Sequence, residues 1–144
     1  MTEISKFLYA NLNGATETVV LFMLVSYDTI LGVKWRKAKG VPITSEAGLK
    51  GLKSNLPLTL FPIGFWSISV IFSVLPTHIG NRIFVFDTPI FDGLAFASFI
   101  FIGQHVLRSL IVNARLSGYD LPQWLIKWAE DEYHVKIQKI EDEA

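Results

Sequence analysis

Between Lys53 and Arg82 the chain carries no charged side chain, and residues 56–75 are almost wholly apolar. A helix needs about 17–25 such residues to cross the hydrocarbon core of a bilayer. No water is present at that depth to satisfy backbone N–H and C=O groups, so a chain holding such a run crosses as helix or closed barrel. Two further blocks, residues 16–33 and 89–114, are also long enough to span. Half of the 144 residues are apolar, and they are gathered into these blocks rather than scattered. The expectation is an all-α integral membrane protein, a single membrane domain over residues 1–144. It has three transmembrane helices, a basic cytoplasmic hairpin and a C-terminal amphipathic interfacial helix.

Charge orders the topology. The segment after the first span holds Lys34, Arg36, Lys37, Lys39, Lys50 and Lys53 against one acid, Glu46. Short loops rich in Lys and Arg stay in the cytoplasm, so this hairpin is expected inside, on the membrane surface, with Trp35 as an interfacial anchor. Gly40 and Pro42 end the first helix, and Thr44 or Ser45 caps a short basic turn leading to the second span. Residues 76–88, punctuated by Gly80-Asn81, are far less basic and fall outside. The N-terminus is then external and the C-terminus cytoplasmic. Met1 to Ala15 lacks a basic stretch with a small-residue cleavage site, so no removable signal peptide is read there. Thirteen basic residues balance thirteen acidic ones, which leaves no case for nucleic-acid binding from bulk charge. Cysteine is absent, so there is no disulfide, thiol nucleophile or thiolate metal site.

The first span contains Asp28, an intramembrane acid. An unpaired carboxylate costs about 2.5–3.5 kcal/mol at the centre of a span. Asp28 reads either as a partner for the adjacent basic loop (Lys34, Lys50, Lys53) or as a proton-titrating group. In the second span Pro57 and Pro62 fall in the first two turns, tolerated there or producing a kink. Ser69 and Ser73 either let another helix approach or bond their own helix's carbonyls.

The third span starts at Pro89, capped by Asp87 or Thr88. On a helical wheel Gly93, Ala97, Gln104 and Arg108 cluster, with Ser98, His105 and Ser109 beside them and Asn113 near the end. Polar groups at this depth are expensive in lipid and normally face protein or water, so this stripe is the candidate helix-association or pore-lining surface. Arg108 alternatively snorkels to the inner interface. His105 has no second His, Asp or Glu at ligand spacing, so neither a metal nor a cofactor is assigned. Ser117-Gly118 ends the helix, and Asp120 with Gln123 forms a capping box for an amphipathic helix over residues 120–140. Tyr119 and Trp124 are placed for a hydrophobic staple. Leu121, Trp124, Leu125 and Trp128 form its apolar face, with Trp124 and Trp128 as interfacial anchors. No phosphate loop, catalytic triad or paired carboxylates is present, and no enzyme activity is expected.

Asp28, Gly32, Lys34, Lys37, Lys39, Ser45, Gly48, Leu49, Lys50, Gly51 and Lys53 follow an order that resembles the toxin-secretion and phage-lysis holins of Gram-positive bacteria and their phages. Ser109-Leu110-Ile111-Val112-Asn113-Ala114-Arg115-Leu116-Ser117-Gly118-Tyr119-Asp120-Leu121-Pro122 is similar to that family's closing pattern, one residue longer before the glycine. Leu31 and Val112 stand where the family has Thr and Glu, and Gln104-His105 where it often has an acid. The resemblance, over roughly Val25 to Leu125, implies a homo-oligomer in the bacterial cytoplasmic membrane. It would open lesions that release a wall hydrolase, a functional partner without necessary direct contact, or a toxin. The competing expectation is a non-pore membrane adaptor or holin antagonist that anchors a cytoplasmic partner.

Overall fold

A computed structural model describes residues 12–41, 53–75, 77–84 and 89–143. The described residues are helical apart from one short strand pair. Helix α1 spans Gly14–Ala38; a 3-10 turn, Pro57–Leu60, leads into α2, Phe61–Val74. Strands β1 (Thr77–Ile79) and β2 (Arg82–Phe84) pair antiparallel, and then come α3 (Pro89–Leu116), α4 (Gln123–Trp128) and α5 (Glu130–Glu143). Three helical stretches, Gly14–Ala38, Lys53–Val74 and Pro89–Leu116, are long and apolar enough to cross a membrane. Their surfaces expose Phe22, Met23, Tyr27 and Ile30 on α1, Ile71 and Val74 on α2, and Phe96 and Phe101 on α3. Apolar surface on that scale suits lipid rather than water.

Helix ends differ from the sequence expectation where capping chemistry outranks hydropathy. Asn13 Oδ1 accepts the N–H groups of Ala15 and Thr16, each at 3.0 Å, and Thr16 Oγ1 accepts the Asn13 N–H at 3.0 Å. This reciprocal cap starts α1 two residues before the expected 16. At its other end α1 continues through Lys34–Ala38, because basic residues suit a helix C-terminus and no breaker intervenes before Gly40. There the Val41 N–H reaches Arg36 O and the Gly40 N–H reaches Lys37 O, with Gly40 at φ +70°. Helix α3 closes identically: Tyr119 N–H to Ala114 O, Gly118 N–H to Arg115 O, and Gly118 at φ +90°. Both are Schellman ends, whose left-handed residue only glycine adopts without penalty. The turn expected at residues 76–88 contains the strand pair, joined by Gly80 at φ +62° and Asn81. Glycine first in a two-residue loop fits a type II′ hairpin.

The described residues form two compact units, both drawing on α1 and α3. One comprises those of Met1–Leu21 and Pro57–Ile102, the other those of Phe22–Leu56 and Gly103–Ala144. In the first, Gly14 lies so close to α2 that a Cβ there would strike the Pro62 carbonyl and the Trp66 side chain. Pro62 sits at the start of α2, where its missing N–H breaks no helical bond; no kink is needed to accommodate it. The free first-turn N–H of Ile63 donates to Thr18 Oγ1 at 3.1 Å, which ties α2 to α1. Phe72 stacks on Phe91, 5.7 Å between centroids, and ties α2 to α3. Ser73 bonds the Val70 carbonyl of its own helix, whereas Ser69 is buried. In the second unit Val25, Trp35, Val106, Val112 and Ala129 are buried.

The expected single helix over 120–140 is two. Ala129, at φ −105° and ψ 18°, breaks it into α4 and α5. The capping box is absent: Pro122 occupies the N-cap of α4, and Asp120 pairs with Arg115 at 3.1 Å instead. Pro122 supplies an extended backbone (ψ 139°) at the helix entrance, so a capping side chain two residues earlier is out of reach. Asp87, Thr88, Thr44, Ser45 and Lys50, with the basic turn expected near them, lie outside the described residues.

Candidate functional site

Asp28 on α1 and Asn113 on α3 are the centre of a buried hydrogen-bonded cluster in the second unit. Asn113 is 5% exposed. Its Nδ2 donates to Asp28 Oδ1 at 2.7 Å and to the Asp28 carbonyl at 3.1 Å. Its Oδ1 accepts from Trp35 Nε1 at 2.8 Å and from Lys136 Nζ at 2.9 Å. An amide has two donors and two acceptor lone pairs, so Asn113 is fully used. Reversing it would point NH₂ at two other donors, which fixes its orientation.

Ser109, one turn earlier on α3, donates from Oγ to Asp28 Oδ2 at 3.0 Å and accepts from Lys136 Nζ at 2.8 Å. Lys136 also donates to the Ser109 carbonyl at 3.2 Å and stands 3.4 Å from Glu132 Oε1. Ser117, one turn beyond Asn113, donates to the Leu31 carbonyl at 3.2 Å. Thus 109, 113 and 117, at helical i+4 spacing, face 28, 31 and 35 on α1. Gly32 makes the approach feasible: a Cβ there would lie 3.3 Å from Asn113 Nδ2. Lys136 belongs to a stripe of α5, Glu132, Tyr133, Lys136 and Ile137, continuing from Ala129 just before it, that is less exposed than Glu130, Asp131, His134, Val135 and Gln138. Burial pulls the Lys136 amine below the usual lysine range, against the opposing pull of the Asp28 and Glu132 charges. The cluster borders a cavity of about 330 Å³ that Thr29, Arg36, His105 and Glu132 also line.

The sequence-derived candidates are divided by this arrangement. Ser109 and Asn113 turn inward to Asp28, whereas Gly93, Ala97, Gln104 and His105 are exposed. Arg108 places its guanidinium 5.1 Å from the centre of the Trp128 ring. Asp28 takes hydrogen bonds from Ser109 and Asn113 of α3, and Lys34, one of the partners expected for it, donates to the Tyr119 hydroxyl at 3.0 Å and lies over its ring. Tyr119 is therefore engaged with α1. Trp35 was expected as a surface anchor but is 5% exposed, because its N–H finds Asn113. Trp124 is 70% exposed. Lys37, Lys39 and Lys53 are exposed.

Two functional groups escaped the sequence reading. Lys136 was hidden among the charges of the C-terminal helix, although its i+7 spacing from Ala129 and adjacency to Tyr133 and Ile137 mark it as inward. Glu17, at the start of the first span, is 3% exposed, and its Oε2 has no hydrogen-bond partner. Comparison of the chain with models of known protein families, with curated proteins and with solved structures gave no match.

Proposed function

We propose that the protein is a holin: it accumulates in a bacterial cytoplasmic membrane, self-associates, and opens lesions through which a wall hydrolase or toxin leaves. The observation that carries this reading is the division of α3. Its inward polar groups, Ser109 and Asn113, are satisfied within one chain, while Gly93, Ala97 and Gln104 remain on an exposed face. Small residues let a second helix approach closely, and an amide in lipid gains by bonding across that contact, about 0.6 kcal/mol on average and up to about 1.7. Such a chain satisfies its inward polar groups by itself and offers the exposed face to copies of itself. The two stretches that resemble holins also meet in the Asp28–Asn113 cluster, which supports reading them together. In this reading the N-terminus is outside, the Lys34–Lys39 segment and α4–α5 are cytoplasmic, and no chemical step is catalysed.

Expression in a bacterium with and without a cytoplasmic wall hydrolase tests it. Abrupt lysis only with the hydrolase, and leakage without it, is the expected result. Cells that stay impermeable to macromolecules at high membrane levels of the protein would refute it. A second reading, a non-pore adaptor or holin antagonist, is favoured by one feature. The outer face of α5, with Glu130, Asp131 and His134 exposed, is turned away from the Lys136 contacts and offers a surface to a cytoplasmic partner. Retention of a cytosolic protein by the membrane-bound chain, without leakage, distinguishes it.

A further inference from the structure

The cavity at the start of α1 is chemically unlike the Asp28 cluster. It measures about 460 Å³ and is lined by Asn13, Glu17, Trp66, Asp92, Ala95 and Phe96, with Leu12 at its edge. Among the described residues the lining holds two carboxylates and no basic side chain. Glu17 is 97% buried, taking its 3% exposure, yet its Oε2 has no hydrogen-bond partner. A buried carboxylate oxygen left unpaired costs more than an unpaired neutral acceptor, so a positively charged occupant gains what the protein leaves unsatisfied. The walls are fixed: Gly14 is pressed on Pro62 and Trp66, and Thr18 is bonded to Ile63.

We propose that this cavity binds an ammonium-type organic cation, with Glu17 as its anionic partner and Trp66 and Phe96 as its aromatic walls. The ligand chemistry follows from three features. Among the described residues no three His, Cys, Asp or Glu side chains converge to hold a metal ion. Tryptophan and phenylalanine faces attract weakly hydrated cations, alkylammonium groups above all. The volume lies in the range of small-molecule sites rather than that of a bare ion. Asp92 is more exposed than Glu17 and adds a second negative charge at the rim. Two sources supply this chemistry: a free amine, or the amine headgroup of a phospholipid reaching in from the adjoining leaflet.

The test uses the full chain in nanodiscs of phosphatidylglycerol, which has no amine. Methylammonium chloride is titrated by calorimetry against sodium chloride at equal ionic strength. Saturable binding of methylammonium but not sodium is expected, weakened about tenfold or more by Glu17→Gln and less by Asp92→Asn. Replacing part of the lipid by phosphatidylethanolamine raises the apparent Kd if the headgroup is the occupant and leaves it unchanged if a free amine is; both outcomes support the site. If Glu17→Gln loses its helical circular dichroism, Trp66→Leu takes its place, with an expected loss of about threefold to tenfold. Absence of saturable binding, equal binding of sodium, or undiminished binding in whichever variant folds overturns the proposal.

Discussion

Replacing Asn113 by Leu keeps the volume near constant and removes all four hydrogen bonds at the hub. Asp28 O keeps its place in the α1 hydrogen-bond ladder, and Lys136 retains Ser109 and Glu132. Asp28 Oδ1 and Trp35 Nε1 lose their partner. Two orphaned buried groups at about 1–3 kcal/mol each give about 2–6 kcal/mol. Counting instead four interhelical bonds at the membrane average of about 0.6 kcal/mol gives about 2.4 kcal/mol. The lower figure should prevail, because the cavity beside the cluster gives water access to the freed carboxylate. The expected loss is therefore about 2–3 kcal/mol, measured by reversible unfolding in mixed micelles. Amide exchange across α5 should quicken with it, since Lys136 loses one of its anchors. A change within about 0.5 kcal/mol, with α5 exchange unaltered, would refute the view that Asn113 holds α1, α3 and α5 together.

Lys136 gives a pH test. Its folded amine loses its proton below the usual lysine pKa, so between the folded and unfolded values the unfolded chain binds more protons and stability rises with pH. Unfolding free energy should climb on the alkaline side as pH approaches the ordinary lysine value, and Lys136→Met should flatten that slope; an identical slope in the variant sinks the assignment. Gly14→Ala should cost about 1–3 kcal/mol through overlap with Pro62 and Trp66, whereas Gly64→Ala, with open space at its Cβ, should be neutral or gain about 0.5–1 kcal/mol. Thermal melting of the two variants, read by circular dichroism, compares them, and equal melting temperatures would contradict the close approach. For self-association, Gln104→Leu should reduce cross-linked dimers and shift lysis timing more than Phe99→Leu does. Equal effects would mean that the outer face of α3 is ordinary lipid-facing surface.

The sequence by itself determined the three long apolar helices, the glycine ends at Gly40 and Gly118, and the turn at Gly80-Asn81. Each rests on a local rule: the hydropathy of a run, or a backbone angle that only glycine adopts freely. Only the tertiary structure decided which polar residues of α3 turn inward. Asn113 and Gln104 look alike on one helix, and their difference arises from Asp28 and Gly32 on a helix some eighty residues away. Trp35 is the same case in reverse: its composition and position suit an interfacial anchor, but a buried acceptor claims its N–H. The stop at Ala129 and the acceptors that Lys136 reaches depended on what lay against α5; the spacing within α5 marks Lys136 as inward but does not name its partners. Local chemistry set the elements, and long-range hydrogen bonding chose among their faces.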